Sequence, residues 1–277
     1  MKQISILGCG WLGLPLAKAL LEKGFLVKGS TTSEEKILVL KTAGIIPHII
    51  KLPLASGAQA MDFEKTETDL FLANSEILIL DIPPKLRGDS QEDFVWKITS
   101  LLPFIEKSTI TKVLFVSSTS VYADGGLTMP SITEATMPNP ETESGKQLLA
   151  VEKLLQDNTH FQSTIVRFGG LIGNDRHPIK FLAGRKNTEN PDAPINLIHQ
   201  EDCIGIIKKI IETNSWNETF NAVAPYHPTR KEYYTQKAIL LNLPLPEFDE
   251  TKTSVGKTIS RSKIETVLGY GFKEVML

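Results

Sequence analysis

The apolar positions fall into short continuous runs, separated by stretches with helical spacing. Residues 2–8 (KQISILG) read as a strand, and Leu12, Leu16 and Leu20 then recur every four residues, which is helix spacing. Residues 25–32 (FLVKGSTT) read as a second strand. Ser33, Glu34 and Glu35 mark a capped, acid-rich start to a helix over 34–43. The run 44–52 is a third strand that contains Pro47, and 75–82 is an apolar strand that stops at Pro83-Pro84. An amphipathic helix is predicted over 91–107, with Phe94, Ile98, Leu101, Leu102 and Ile105. A fifth strand at 111–118, a helix at 141–157 and a sixth strand at 163–170 complete the series. Alternating strands and helices with continuously apolar strands predict an α/β protein, its parallel sheet covered on both faces.

Two regions break the alternation. Residues 119–140 hold three prolines and few periodic apolar positions, so a long functional loop is expected there. Residues 171–194 and 223–277 are rich in Pro, Asn and Gly and are expected to carry only short helices. They read as a small substrate lobe interleaved with a first domain of residues 1–170 and 195–222. Residues 195–214 look like a strand feeding a helix that returns to that first domain. No fixed-period repeat and no low-complexity segment is visible.

Composition narrows the class. Among 277 residues, 30 Lys and Arg against 32 Asp and Glu leave a net charge of −2, which disfavours a nucleic-acid binder. A hydrophobic fraction of 41% argues for a packed core over a disordered chain. No apolar run reaches the ~18–20 residues that span a bilayer, so no membrane partner is expected. Cys9 and Cys203 build neither a disulfide framework nor a metal site, and the five His residues have no ligand spacing. A soluble cytoplasmic protein without a metal is expected.

Gly8-Cys9-Gly10-Trp11-Leu12-Gly13 is a GxGxxG turn between a strand and a helix. In that context Gly8 makes the turn, Gly10 admits a pyrophosphate against backbone, and Gly13 lets helix and strand pack. The motif specifies a doubly wound Rossmann sheet with a dinucleotide on the helix N-terminus. NAD sites place an acid at the end of the second strand. Here Thr31, Thr32 and Ser33 stand there, with no carboxylate before Glu34, and Lys36 follows. Hydroxyls followed by a lysine suit a 2′-phosphate, so NADP is expected ahead of NAD. Ser33 also reads as a cap for the next helix.

The run Val116-Ser117-Ser118-Thr119-Ser120-Val121-Tyr122 after such a turn resembles the extended branch of the short-chain dehydrogenase/reductase superfamily, the NAD-dependent epimerase/dehydratase-like proteins. Glu134, Pro138 and Pro140, the stretch Arg167 to Gly173 and the stretch Asn196 to Asp202 extend the resemblance, in order, from residue 3 to about 225. The GxGxxG spacing differs from that branch's usual GxxGxxG and points to the atypical subgroups. The resemblance implies that Ser118 bonds the substrate oxygen. It also implies Ile82, Pro83, Ser117 and Phe168 as further cofactor contacts beside Gly8, Gly10, Trp11, Leu12, Gly13, Thr31, Thr32 and Ser33.

The family's Tyr-x-x-x-Lys pair is missing. Alignment on Leu148-Leu149-Ala150-Val151-Glu152 puts Ser144 at the tyrosine position and Leu148 at the lysine position. A two-residue shift would pair Thr142 with Lys146, which keeps the lysine but not the tyrosine. At about 100° per residue, Lys146 sits ~200° around the helix from Ser144. Ser144, Lys146 and Tyr122 are therefore the candidate catalytic groups beside Ser118, each against a plainer structural or surface role. His199 and Glu134 read as structural, and Asp202 as a helix cap.

These residues predict an oxidoreductase or epimerase/dehydratase-like enzyme with a non-standard acid/base. A non-catalytic NADP(H) sensor is the alternative. A 6-phosphogluconate-type or nucleotide-sugar dehydrogenase, whose first turn Gly10 to Ala17 also resembles, is disfavoured because residues 223–277 are too short and too Pro-rich for their all-helical second domain. The expected substrate is a nucleotide sugar or another small carbonyl or hydroxyl compound. The family's helix-pair interface, formed here by 91–107 and 141–157, makes a homodimer the expected assembly.

Overall fold

The computed structural model describes residues 2–54, 66–86, 90 and 92–273. The chain runs β1 (Gln3–Leu7), α1 (Gly13–Leu21), β2 (Leu26–Thr31), α2 (Glu35–Thr42), β3 (Ile46–Ile49), α3 (Glu67–Leu72), β4 (Ile77–Leu80), α4 (Phe94–Glu106) and β5 (Lys112–Ser118). After two 3-10 turns come β6 (Ser131–Ile132), α5 (Glu143–Gln156), β7 (Gln162–Phe168), β8 (Gly170–Ile172), α6 (Ile179–Leu182), β9 (Leu197–His199) and α7 (Gln200–Thr213). The last elements are β10 (Thr219–Ala222), α8 (Arg230–Leu240), β11 (Thr258–Ile259) and α9 (Ser262–Leu268).

Seven strands form one sheet in the order β10-β7-β5-β4-β1-β2-β3. Strand β1 pairs in parallel with β2 and β4, β2 with β3, and β4 with β5. This is the doubly wound parallel sheet expected from the alternation. Its strands are apolar because helices cover both faces: all four residues of β4 are buried, as are Ile4 to Leu7 of β1. Pro47 fits because β3 is the edge strand, where a missing ladder donor is tolerated.

The helices bury the positions their spacing picks out. α1 turns Gly13, Leu16, Ala17 and Leu20 inward, and α4 turns Phe94, Ile98, Leu101 and Ile105 inward. Asp93 caps α4 by accepting the Trp96 N–H at 2.8 Å, and Thr142 caps α5 by accepting that of Gly145 at 3.1 Å. The expected capping role of Ser33 is corrected. α2 starts one turn-position later, with Glu34 at its N-cap and no side-chain cap bond. The Ser33 N–H instead donates to Thr31 Oγ1 at 3.2 Å, a local turn that competes with capping.

By packing, the chain divides into two compact units. One comprises Met1–Val121, Pro140–Val166 and Ile210–Thr219, and the other Tyr122–Asn139, Arg167–Lys209 and Phe220–Leu277. The second unit has its own core, in which Ile172, Ile179, Ile195 and Leu197 meet Tyr233 and Tyr234. It also has two two-stranded parallel pairs, β6 with β11 and β8 with β9. Residues 223–277 hold more regular structure than their composition predicts. α8 runs three turns behind a capping box, in which Thr229 Oγ1 accepts the Glu232 N–H at 3.2 Å and Glu232 accepts that of Thr229 at 3.1 Å. Among the described residues no helix is long and apolar enough to cross a membrane.

Candidate functional site

The sheet order reverses between β1 and β4, and the carboxyl ends of these two strands open a crevice. The glycine turn follows β1 directly into it. Gly8 has a φ of +105°, and a Cβ there would lie 2.2 Å from the Asp81 carbonyl oxygen. A Cβ on Gly13 would lie 2.2 Å from the Gly8 carbonyl, which explains the third glycine. Gly10 is different: a Cβ there would meet nothing within 4 Å, because it faces open space. This is the position expected of a glycine that leaves room for a phosphate.

Two residues outside the motif hold the turn. Ser30, in β2, accepts the Gly8 N–H on its hydroxyl at 2.9 Å and the Cys9 N–H on its carbonyl at 2.9 Å. Asp81, just after β4, sets its carboxyl against Gly13, on which a Cβ would lie 2.9 Å from Asp81 Oδ2. Burial of that carboxyl pushes it up to about 8, against the opposing pull of the Gly13 backbone N–H. Burial, with the Asp81 charge adding to it, pushes the Cys9 thiol up to about 12, so Cys9 acts as a small apolar residue. Leu12, at the N-cap of α1, offers no side-chain acceptor to the helix N-terminus.

A cleft of about 490 Å³ lies over this turn. Of the residues expected to hold a cofactor, Gly8, Gly10, Thr31, Thr32, Ile82 and Pro83 line it. Lys36, Lys51, Lys85 and Lys97 line it as well, with Asp81 and Glu92. Glu92 pairs with Lys97, which leaves Lys36, Lys51 and Lys85 along the wall. Trp11 and Ser33 are half-buried beside the turn, and Leu12 is buried in the core. Ser117 directs its hydroxyl inward, donating to the buried Glu152 carboxylate at 2.5 Å. Phe168 is buried in the second unit.

The catalytic candidates separate into two groups. Ser118 ends β5 half-buried, with its Oγ accepting the Ser120 N–H at 3.2 Å. The start of α5 abuts the same turn, since a Cβ on Gly145 would lie 2.4 Å from the Ser120 carbonyl. That brings Ser144, half-buried, to the same end of the sheet as Ser118. Leu148, one turn on, is buried, and Lys146 between them is exposed.

Tyr122 belongs to a buried polar cluster of the second unit. Its hydroxyl accepts from Arg167 Nη1 at 2.6 Å and donates to Asn221 Oδ1 at 3.0 Å. The Arg167 guanidinium sits 5.0 Å from its ring centroid, and Glu134 accepts the Asn221 N–H at 2.7 Å. Burial raises the phenol despite the opposing Arg167 charge, so its proton is held within this cluster. Asp202 lies inside the first turn of α7 and is not its cap, which corrects that expectation; it accepts hydrogen bonds from the Tyr270 hydroxyl at 2.8 Å and the Lys273 N–H at 2.9 Å. At the start of α7, His199 Nδ1 accepts the Glu201 N–H at 3.3 Å.

Sequence reasoning missed Ser30, Asp81, Lys51, Lys85 and Lys97. The acid that ends the apolar run of β4 was a legible signal for Asp81, because a carboxylate there must face either the crevice or the core.

No family model matches the chain. The Escherichia coli protein YeeZ is 32% identical over 274 residues, which cover 99% of this chain and 96% of that protein. Two solved structures share the fold over nearly the whole length. A short-chain dehydrogenase/reductase superfamily protein of Agrobacterium tumefaciens with bound NAD superposes with a TM-score of 0.77 at 16% identity, covering 98% of this chain and 92% of that one. A UDP-glucuronic acid 4-epimerase of Bacillus cereus in complex with NAD superposes with a TM-score of 0.73 at 18% identity, covering 98% and 91%. The fold is thus that of the epimerase/dehydratase-like short-chain dehydrogenases, as the motifs implied.

Proposed function

The chain belongs to the family of the Escherichia coli protein YeeZ, and on that premise we propose that it binds NADP(H) and acts as an epimerase/dehydratase-like oxidoreductase lacking the usual Tyr-x-x-x-Lys pair. One observation carries the cofactor reading. The cleft over the glycine turn is lined at the end of β2 by Ser30, Thr31 and Thr32, and also by Lys36 and Lys51. Hydroxyls and ammonium groups favour a 2′-phosphate, whereas a ribose 2′-hydroxyl is held by an acid. The open space at Gly10 and the uncapped start of α1 fit a pyrophosphate. NAD is the second choice.

When bound, the nicotinamide supplies reversible hydride transfer. The chain's part is to hold the diphosphate by backbone N–H groups at the turn and to orient a substrate oxygen at the Ser118 hydroxyl. Ser144 offers a hydroxyl where the family has tyrosine, and buried Leu148 offers no amine to tune it. Proton transfer is therefore slow, because an acid/base of matched pKa contributes ~10²–10⁴-fold in rate. We take residues 171–194 and 223–277 as the substrate lobe. A nucleotide sugar is the substrate class, by analogy with the Bacillus cereus epimerase. Both cysteines are free and buried, in keeping with a cytoplasmic location.

Assembly as a homodimer through α4 and α5 is part of the same reading. Because Phe94, Ile98, Leu101 and Ile105 are consumed by the core, that face would rest on Trp96, 47% exposed, with Leu102 and Leu149. A monomer mass in light scattering at micromolar concentration contradicts it. Fluorescence titration tests the cofactor: NADPH is expected to bind more tightly than NADH, and Thr32→Asp to narrow the difference. A roughly tenfold preference for NADH, about 1.4 kcal/mol, overturns the NADP reading.

A further inference from the structure

We infer that the second unit docks by one end on an anionic lipid surface, with Phe181, Leu240 and Leu241 entering the headgroup boundary and Lys180, Arg185 and Lys237 facing the lipid charge. Phe181 is the third residue of the short helix α6 and is 85% exposed. Ile239 and Leu240 end α8 at 65% and 73% exposed, and Leu241 and Leu245 follow, about half exposed. Large apolar side chains scattered singly over a surface call for no explanation, but five of them gathered at one end of a unit do.

The backbone brings these residues together. α6 packs against α8. The chain after α6 then runs along the chain after α8. The Gly184 N–H donates to the Pro244 carbonyl at 3.1 Å and the Glu247 N–H to the Arg185 carbonyl at 2.9 Å, with Leu245 between those bonds. The cations share this end. His177 stacks on Tyr233 at 5.6 Å between centroids, and burial, then the charges of Lys237 and Lys180, push its imidazole down to about 4. Lys237 stands one helical turn before Leu240 and Leu241, on their side of α8.

Charge selects the occupant. Lys180 Nζ donates to the Asp175 carbonyl at 2.9 Å, Lys237 Nζ lies 5.7 Å from the Tyr233 ring centroid, and Arg185 is exposed. Among the described residues none of these three cations pairs with a carboxylate, and Glu247, beside them, faces Lys186 at 3.8 Å. A twofold contact with a second copy would set this cationic rim against itself. A protein partner would have to cover lysines, which protein interfaces deplete. A lipid surface suits both halves, since apolar side chains enter the acyl boundary while lysine and arginine reach back to anionic headgroups. The sequence carries no membrane-spanning run, and docking of this kind needs none.

Docking here is independent of the cofactor, and co-sedimentation of the whole protein with vesicles tests it. Vesicles of phosphatidylglycerol mixed with phosphatidylcholine are expected to carry the protein down, pure phosphatidylcholine far less, and added salt to release it. The double variant Phe181→Ser, Leu240→Ser is expected to weaken binding at least about tenfold, because two apolar side chains no longer leave water. Lys180→Gln and Arg185→Gln should each weaken it about fivefold, the equivalent of ~1 kcal/mol per cation near such a surface. Leu38→Ser removes a leucine of similar exposure, 71%, from α2 in the first unit and should change nothing. No co-sedimentation with the anionic vesicles, equal binding to both vesicle types, or the same loss in Leu38→Ser overturns the docking. So does a dimer mass in light scattering that the double variant abolishes, which would make this face an interface between copies. Circular dichroism confirms that each variant is folded.

Discussion

The carboxyl of Asp81 lies against Gly13, on which a Cβ would come within 2.9 Å of Asp81 Oδ2, so the acid just after β4 sits against the glycine turn, where a pyrophosphate would lie. When ionised, that acid competes with a phosphate for one helix N-terminus. With its carboxyl pushed up to about 8, Asp81 is protonated at neutral pH and does not repel a phosphate. Above that value it ionises. NADPH affinity is therefore expected to fall as pH rises through about 8, and Asp81→Asn to flatten the profile. The sign for folding is the same. A raised folded-state value gives stability that is complete below the ordinary carboxylate range and is lost as pH climbs toward 8. Titrations and denaturant melts across that range check both, and a wild-type profile that rises with pH sinks the argument.

Gly10 and Gly13 should respond differently to alanine. A Cβ on Gly10 meets nothing, so Gly10→Ala is expected to leave the melting temperature unchanged while abolishing cofactor binding. A Cβ on Gly13 would come within 2.2 Å of backbone, so Gly13→Ala must shift the turn and costs ~1–3 kcal/mol of stability. Thermal melts beside cofactor titration separate the two. Equal stability of both variants would show that the turn is looser than its geometry.

Tyr122 is tied into the Arg167–Asn221 cluster. Tyr122→Phe leaves a buried charged donor short of an acceptor and is expected to lower stability by ~1–3 kcal/mol. Cofactor affinity should not move. If activity is found and Tyr122→Phe abolishes it without loss of stability, the tyrosine is a proton donor after all.

Lys146 is exposed on α5 while Leu148 is buried. Lys146→Ala is expected to leave both cofactor affinity and any turnover unchanged. Loss of turnover with affinity intact would place Lys146 in the site and move the register by two residues.

Ser117→Ala removes the hydroxyl that donates to the fully buried Glu152 carboxylate at 2.5 Å. A loss of ~1–3 kcal/mol in urea unfolding is expected.

Local pattern along the chain encodes the sheet-and-helix architecture and the glycine turn. Strand runs such as Ile77–Leu80 and the four-residue beat of Leu12, Leu16 and Leu20 are local patterns, set by which faces the sheet must cover. The glycine turn was legible for the same reason: its conformational demands fall within six consecutive residues. The cap of α8 went unread, although Thr229 and Glu232 stand at capping-box spacing, because the region was judged by its Pro- and Asn-rich composition. Only the tertiary structure decided which groups share the cleft. Ser30, Lys51, Asp81 and Lys97 line one cleft because the ends of β2, β3 and β4 and the start of α4 converge there, and no spacing along the chain encodes that. It also decided that Phe94, Ile98, Leu101 and Ile105 lie in the core. Periodicity marks a face as apolar, but what that face meets is settled only when distant segments pack.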